Sequence, residues 1–190
     1  MFPESSAYFS VPHPFDAYVS LWPKDQPLPD ETLLQSMKSK GMQLMSEVKA
    51  LEGNCLIHLR QMGDDGRAIV EYLKLQSRKI DLVLQHLLEQ EARDGEHCIG
   101  LQFGGSGVRL KSAQSLARGQ QVKLLLFVRE EILSVLCLAQ VSDCREDPDE
   151  PGCFLLDLQF SVITDAEVEQ LVKASLVVQQ KQLKHRKTNN

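Results

Sequence analysis

The segment Gln102-Phe-Gly-Gly-Ser-Gly-Val-Arg-Leu110, followed by Lys111, holds residue types at a spacing suited to gripping a ligand. Glycines at 104, 105 and 107 permit positive φ and close backbone approach. Arg109 and Lys111 bring cations that hold phosphate, the guanidinium as a planar fork and the ammonium as a point charge. Two readings fit: a tight turn between strands, or a turn that binds a nucleotide. Under the second, the candidate ligand-binding residues are Gln102, Gly104, Gly107, Arg109 and Lys111.

Elsewhere the chemistry is thin. No GxSxG, HExxH or P-loop occurs, and no GxGxxG lies between a strand and a helix. His58 and His86 read as helix residues, packed or half-exposed. His97 and Cys98 are adjacent on a strand, so they point to opposite faces and form no dyad. Asp64-Asp65 and Asp147, Asp149 and Glu150 fall in loops, where solvation rather than general acid–base work explains them. The cysteines (Cys55, Cys98, Cys137, Cys144 and Cys153) are odd in number and widely spaced. Without a CxxC pair they argue against structural zinc. No catalytic residue, metal ligand or cofactor is expected, and the chain reads as a non-enzyme.

Net charge is −5 with 25% charged residues, an ordinary soluble balance. Nothing gathers Lys and Arg on a face that would track DNA or RNA. The one basic cluster (Lys181, Lys184, His185, Arg186 and Lys187) ends an expected helix, where cations offset the negative end of the dipole. MFPESSAYFS lacks a basic n-region and an apolar h-region, and no run is long enough to span a membrane. The expected compartment is a reducing cytoplasm.

The elements that must position these residues follow from periodicity. Pro3, Pro12, Pro14, Pro23, Pro27 and Pro29 forbid a helix across residues 1–29, but FDAYVSLW alternates like a strand. Asp30 caps an expected helix with a seam of Leu34, Met37, Gly41, Leu44, Val48, Leu51, Cys55, His58 and Met62, with Gly53-Asn54 as an interruption. GDDG at Gly63–Gly66 reads as a turn. A second heptad seam follows at Ile69, Leu73, Gln76, Ile80, Val83 and Leu87, widened by Leu84 and Leu88. Residues 30–93 are thus expected to form a long helical hairpin. Its seam either packs only on its own domain or serves oligomerisation, with Gln76 setting register.

Residues 94–190 turn to short Val-, Leu-, Ile- and Phe-rich runs: HCIGLQF, GVRLKS, QQVKLLLFV, ILSVLCLAQVS and CFLLDLQF. The nearly continuous QQVKLLLFV predicts a strand buried on both faces. Arg145–Gly152 reads as a charged hairpin loop. TDAE at 164–167 is a capping box that starts a helix with Val168, Leu171, Val172, Leu176 and Val178 on its apolar side. The fold class is α+β, an antiparallel sheet or small barrel with helices.

The pieces Gly107-Val-Arg-Leu110 and Gly119-Gln-Gln-Val-Lys-Leu-Leu-Leu126, with the order of strands and a closing helix, resemble the PilZ domain over about residues 97–186. Leu73 to Leu88, with KIDLVLQHLL, is similar to the long helix inserted in the atypical, tetramer-forming branch of that family. The resemblance implies an antiparallel barrel, with the hairpin inserted after the first strand and a C-terminal helix. It also implies a role in bacterial cyclic di-GMP signalling. The family typically holds the dinucleotide with an RxxxR motif before the first barrel strand and a [D/N]xSxxG turn.

This chain departs from both motifs. Aligned on Gly107, the acidic position is Gln102 and the serine position Gly104. No two arginines stand four apart, and the first, Arg60, follows the first strand. Losing two charge-assisted contacts costs on the order of 3–6 kcal/mol, which moves a micromolar site to about millimolar. The expectation is a PilZ-like adaptor that oligomerises through its long helices and acts on a protein partner, with no nucleic-acid polymer or membrane involved. The alternative is a cyclic di-GMP receptor with a non-standard site around residues 102–111.

Overall fold

Six strands whose side chains alternate between core and surface close into an antiparallel barrel. The computed structural model describes residues 10–48, 63–91 and 93–188. The strands are β1 (Ser10–Leu21), β2 (Glu96–Gly104), β3 (Gly107–Ser112), β4 (Gln121–Val128), β5 (Leu133–Glu146) and β6 (Phe154–Val162), in the order β1-β2-β3-β6-β5-β4, with β4 returning to β1. The chain divides into two compact units, Met1–Leu34 with Arg93–Asn190, and Gln35–Ala92.

The barrel core is built from the inward residues of every strand. Phe103, Leu110, Leu124, Leu126, Leu156 and Leu158 are among its fully buried side chains. Each such burial is worth about 1.5–3 kcal/mol. Phe15 lies edge-on to Phe103, with ring centroids 5.8 Å apart. The same ring covers Gly100, its partner across β1–β2, where a Cβ would strike it. The C-terminal helix α4 (Asp165–Thr188) adds Leu171, Ala174 and Val178 to this core. It starts on the expected capping box: Glu167 N–H donates to Thr164 Oγ1 at 3.3 Å, and Thr164 N–H to Glu167 Oε2 at 3.3 Å.

Three strand details differ from the sequence reading. In β4 burial alternates, so Lys123, Leu125 and Phe127 face outward and are only half-buried. A barrel strand shows its second face to the exterior, and there apolar side chains need only lateral neighbours. Burial on both faces falls instead to β5, where outward Leu136 and Leu138 are buried as fully as the core-facing residues. β1 also begins at Ser10 and so contains Pro12 and Pro14. Its pairing to β4 starts only at Asp16, which leaves residues 10–15 paired on one side, where prolines cost no ladder bond. On that side Gln182 of α4 donates to the Pro12 carbonyl at 2.7 Å.

The helices before β2 also depart from the reading of a first helix interrupted at Gly53-Asn54. Asp30 caps α1 (Glu31–Ser36), with Leu33 N–H donating to Oδ1 at 2.8 Å. The helix then breaks over residues 37–39 and resumes over 40–48 (α2), where Met42 N–H donates to Ser39 Oγ at 3.1 Å. Across the break, Gln43 Nε2 donates to the carbonyls of Gln35 and Lys38, and Lys38 N–H donates to the Gln35 carbonyl at 3.2 Å. The expected continuation through Leu51, Cys55 and His58 lies outside the described residues. GDDG is not a turn: α3 runs Gly63–Gln90 and takes those four residues as its first turn. Two aspartates at a helix start favour the dipole, offsetting the weak propensity of the glycines.

Candidate functional site

The β2–β3 turn leaves only Gly105 and Ser106 outside the strands, and β3 beyond it presents alternate residues outward. Val108 and Leu110 point into the core, Arg109 and Lys111 to the surface. Register sets Arg109 opposite Gln102 on β2 and opposite Asp157 on β6. The sequence-predicted residues therefore share one outer face of the barrel.

Each of them has a local partner. Arg109 Nε donates to Asp157 Oδ1 at 2.5 Å and an Nη to Oδ2 at 2.9 Å, a bidentate pair with 18% and 8% of the two side chains exposed. The Asp157 bond raises the Arg109 pKa above its ordinary value. Lys111 Nζ reaches Asp147 Oδ2 at 2.6 Å and Glu150 Oε2 at 3.0 Å. Its bond to Asp147, with that to Glu150, raises its own pKa, and both carboxyls are held below the usual range by it. Gln102 Nε2 donates to Ser10 Oγ at 2.6 Å.

The glycines serve packing rather than turn conformation. Neither Gly104, Gly105 nor Gly107 has positive φ; among described residues that falls to Gly95, Gly119, Gly152 and Ile132. Gly107 is required because a Cβ there would run into the Leu158 carbonyl oxygen of β6. The site is thus a closed electrostatic surface: two cations on β3, each neutralised by acids of β6 or of the β5–β6 loop. Asp157, Asp147 and Glu150 were not among the predicted site residues. The lone outward aspartate in CFLLDLQF was the signal available for the first.

A second outward cluster lies across β1, β2 and β4. Asp16 accepts from His97 Nε2 and Arg129 Nε, each at 2.9 Å. Burial pushes the Asp16 carboxyl up, but these two partners outweigh it and hold the pKa below its ordinary value. Arg93 donates to Tyr18 Oη at 2.8 Å and lies 4.4 Å from the Phe127 ring centroid. Cys98, on the opposite face from His97, is buried, and burial pushes its thiol up to about 11. Among the described residues no three His, Cys, Asp or Glu group as for a metal, and no helix is long and apolar enough to cross a membrane.

The expected oligomerisation seam runs along α3, 28 residues or about 42 Å. Ile69, Leu73, Ile80, Val83 and Leu87 are exposed, and Gln76 is half-buried. Among the described residues of α3, those buried are Val70, Leu84 and Leu88, on a neighbouring stripe. Gly41 of α2 sits against Leu88, where a Cβ would come within 2.9 Å. The helix therefore buries one stripe and leaves the apolar residues of the heptad stripe exposed.

No protein-family model and no curated protein sequence matches the chain. Among solved structures it is similar to a tetrameric PilZ domain from Xanthomonas campestris, self-assembled via a helical bundle. The identity is 13%, the match covers 94% of this chain and 92% of that one, and the TM-score is 0.55. It is also similar to the Bacillus subtilis inhibitor of motility, at 18% identity and a TM-score of 0.42, over 45% of this chain and 42% of that one. In fold, the chain is a PilZ-type barrel with helices inserted after the first strand and a C-terminal helix.

Proposed function

We propose that this chain is a non-enzymatic PilZ-like adaptor of bacterial cyclic di-GMP pathways, cytoplasmic, with a degenerate nucleotide site. It acts through protein contacts, assembled by its α3 helices. The observation that carries this reading is the bidentate Arg109–Asp157 pair. A phosphate that recruits Arg109 must strand the buried Asp157 carboxylate, and breaking such a pair costs about 3–5 kcal/mol. Lys111 is held in the same way by Asp147 and Glu150. The absence of any RxxxR from the sequence points in the same direction.

Self-association is supported by the uncovered a/d stripe of α3 and by the helical-bundle assembly of the Xanthomonas campestris PilZ domain. A helix with apolar residues on the stripe it uses and on the stripe it leaves free is suited to a bundle. Gln76, within that stripe, would fix the register of the copies.

The test is calorimetric titration of cyclic di-GMP into the purified protein, with mass measured by light scattering on the same sample. The expected result is no saturable heat below about millimolar ligand and a mass above that of one chain. Micromolar binding that disappears in Arg109→Ala would overturn the degenerate-site reading and make the chain a receptor with a site at residues 102–111.

A further inference from the structure

We propose that α4 is a second self-association surface, on which two copies of the chain pair their C-terminal helices antiparallel. This stands apart from the α3 reading and rests on a different helix. α4 turns Leu171, Ala174 and Val178 to the barrel. Beside that face run Val172, Leu176, Gln179 and Leu183, spaced four, three and four, the alternation of a coiled-coil seam. Leu176 is 45% exposed and Leu183 49%, although the helix already has its core stripe satisfied. Continuing the alternation one step outward at each end reaches Glu169 and Arg186.

The charges choose the occupant and its direction. In an antiparallel pair with its two-fold axis between residues 177 and 178, Val172 meets Leu183 of the second copy, and Leu176 meets Gln179. Glu169 meets Arg186 at both ends. All three layers keep the a-to-d pairing that antiparallel helices require. A parallel pair sets Glu169 against Glu169 and Arg186 against Arg186. The antiparallel arrangement also opposes the two helix dipoles. The patch is thus complementary to itself, as an isologous contact must be. Glu169 already holds Lys173 at 2.6 Å, an exposed pair that leaves its carboxylate at the rim of the seam. The seam from Glu169 to Arg186 is about 26 Å long, and two of its layers set a leucine on a glutamine stem. It belongs with the small, reversible interfaces.

The experiment is sedimentation equilibrium of the full chain at about 50 mM salt, where exposed charges are least screened, in an Ile80→Lys background that breaks the α3 seam. The proposal expects reversible dimers in this background, and monomers once Leu176→Asp is added. Glu169→Lys or Arg186→Glu alone should weaken the dimer about tenfold, since each places two like-charge contacts in one interface. The double swap should restore it. Both swaps oppose the helix dipole, so damage to the helix itself would add up in the double variant rather than cancel. Unchanged association in Leu176→Asp, or a double swap no tighter than the singles, overturns the proposal. Failure of the α3 reading shows separately, as an Ile80→Lys mass equal to wild type, and leaves the charge-swap comparison readable.

Discussion

Arg109 and Asp157 face each other across the β3–β6 ladder, 48 residues apart in sequence, with both carboxylate oxygens held by the guanidinium fork. Asp157→Ala takes the bidentate acceptor from a mostly buried cation and should cost about 3 kcal/mol in urea unfolding. Replacing both residues with leucine should cost much less, because neither charge is then stranded. Equal losses in the single and double variants would show that the pair is not coupled.

Gly107→Ala should be more damaging than Gly119→Ala. The new methyl meets the Leu158 carbonyl, so two paired strands must shift, at about 3 kcal/mol. Gly119→Ala meets nothing within 4 Å and bears only the strain of φ +85°, about 1–2 kcal/mol. Thermal midpoints of the two variants check the order.

The Lys111 ion pairs predict acid sensitivity. Asp147 and Glu150 have folded pKa values below their ordinary 3.8 and 4.5. Their contribution is therefore present above pH 4.5 and is lost as pH falls through the lowered folded values. Denaturant midpoints at pH 6 and pH 3 should differ less in Lys111→Met than in wild type. An equal difference would remove Lys111 as the cause.

On α3, Val83→Glu puts a charge on a residue that is 61% exposed in the single chain. Helicity should stay unchanged by circular dichroism while the mass by light scattering falls. Gln76→Leu should raise the melting temperature of the assembly and loosen its register, as polar seam residues hold register at a cost in stability.

Much of the barrel was readable because its strands obey a period of two and end at turn residues. GVRLKS is β3 without change, and TDAE caps α4 as its spacing requires. The helical insertion was harder, since Gly63–Gly66 carries the residue types of a turn and of a helix N-terminus alike. Backbone context decides between them. The break at residues 37–39 carries no proline or glycine to announce it. The candidate site was readable in its cations but not in their neutralisation. Asp157 becomes a neighbour of Arg109 only through the pairing of β3 with β6, a non-consecutive contact that periodicity within one segment does not contain.

Pro12 and Pro14, along a stretch of β1 that is paired on one side only, also govern how another protein can approach there. A row of free main-chain donors would invite an extended peptide to join as an extra strand. Here the prolines withdraw their N–H groups and Gln182 occupies the Pro12 carbonyl. Recognition along this stretch must therefore be written in side chains, so it is alterable by point substitution, where a strand-adding contact would tolerate almost any sequence.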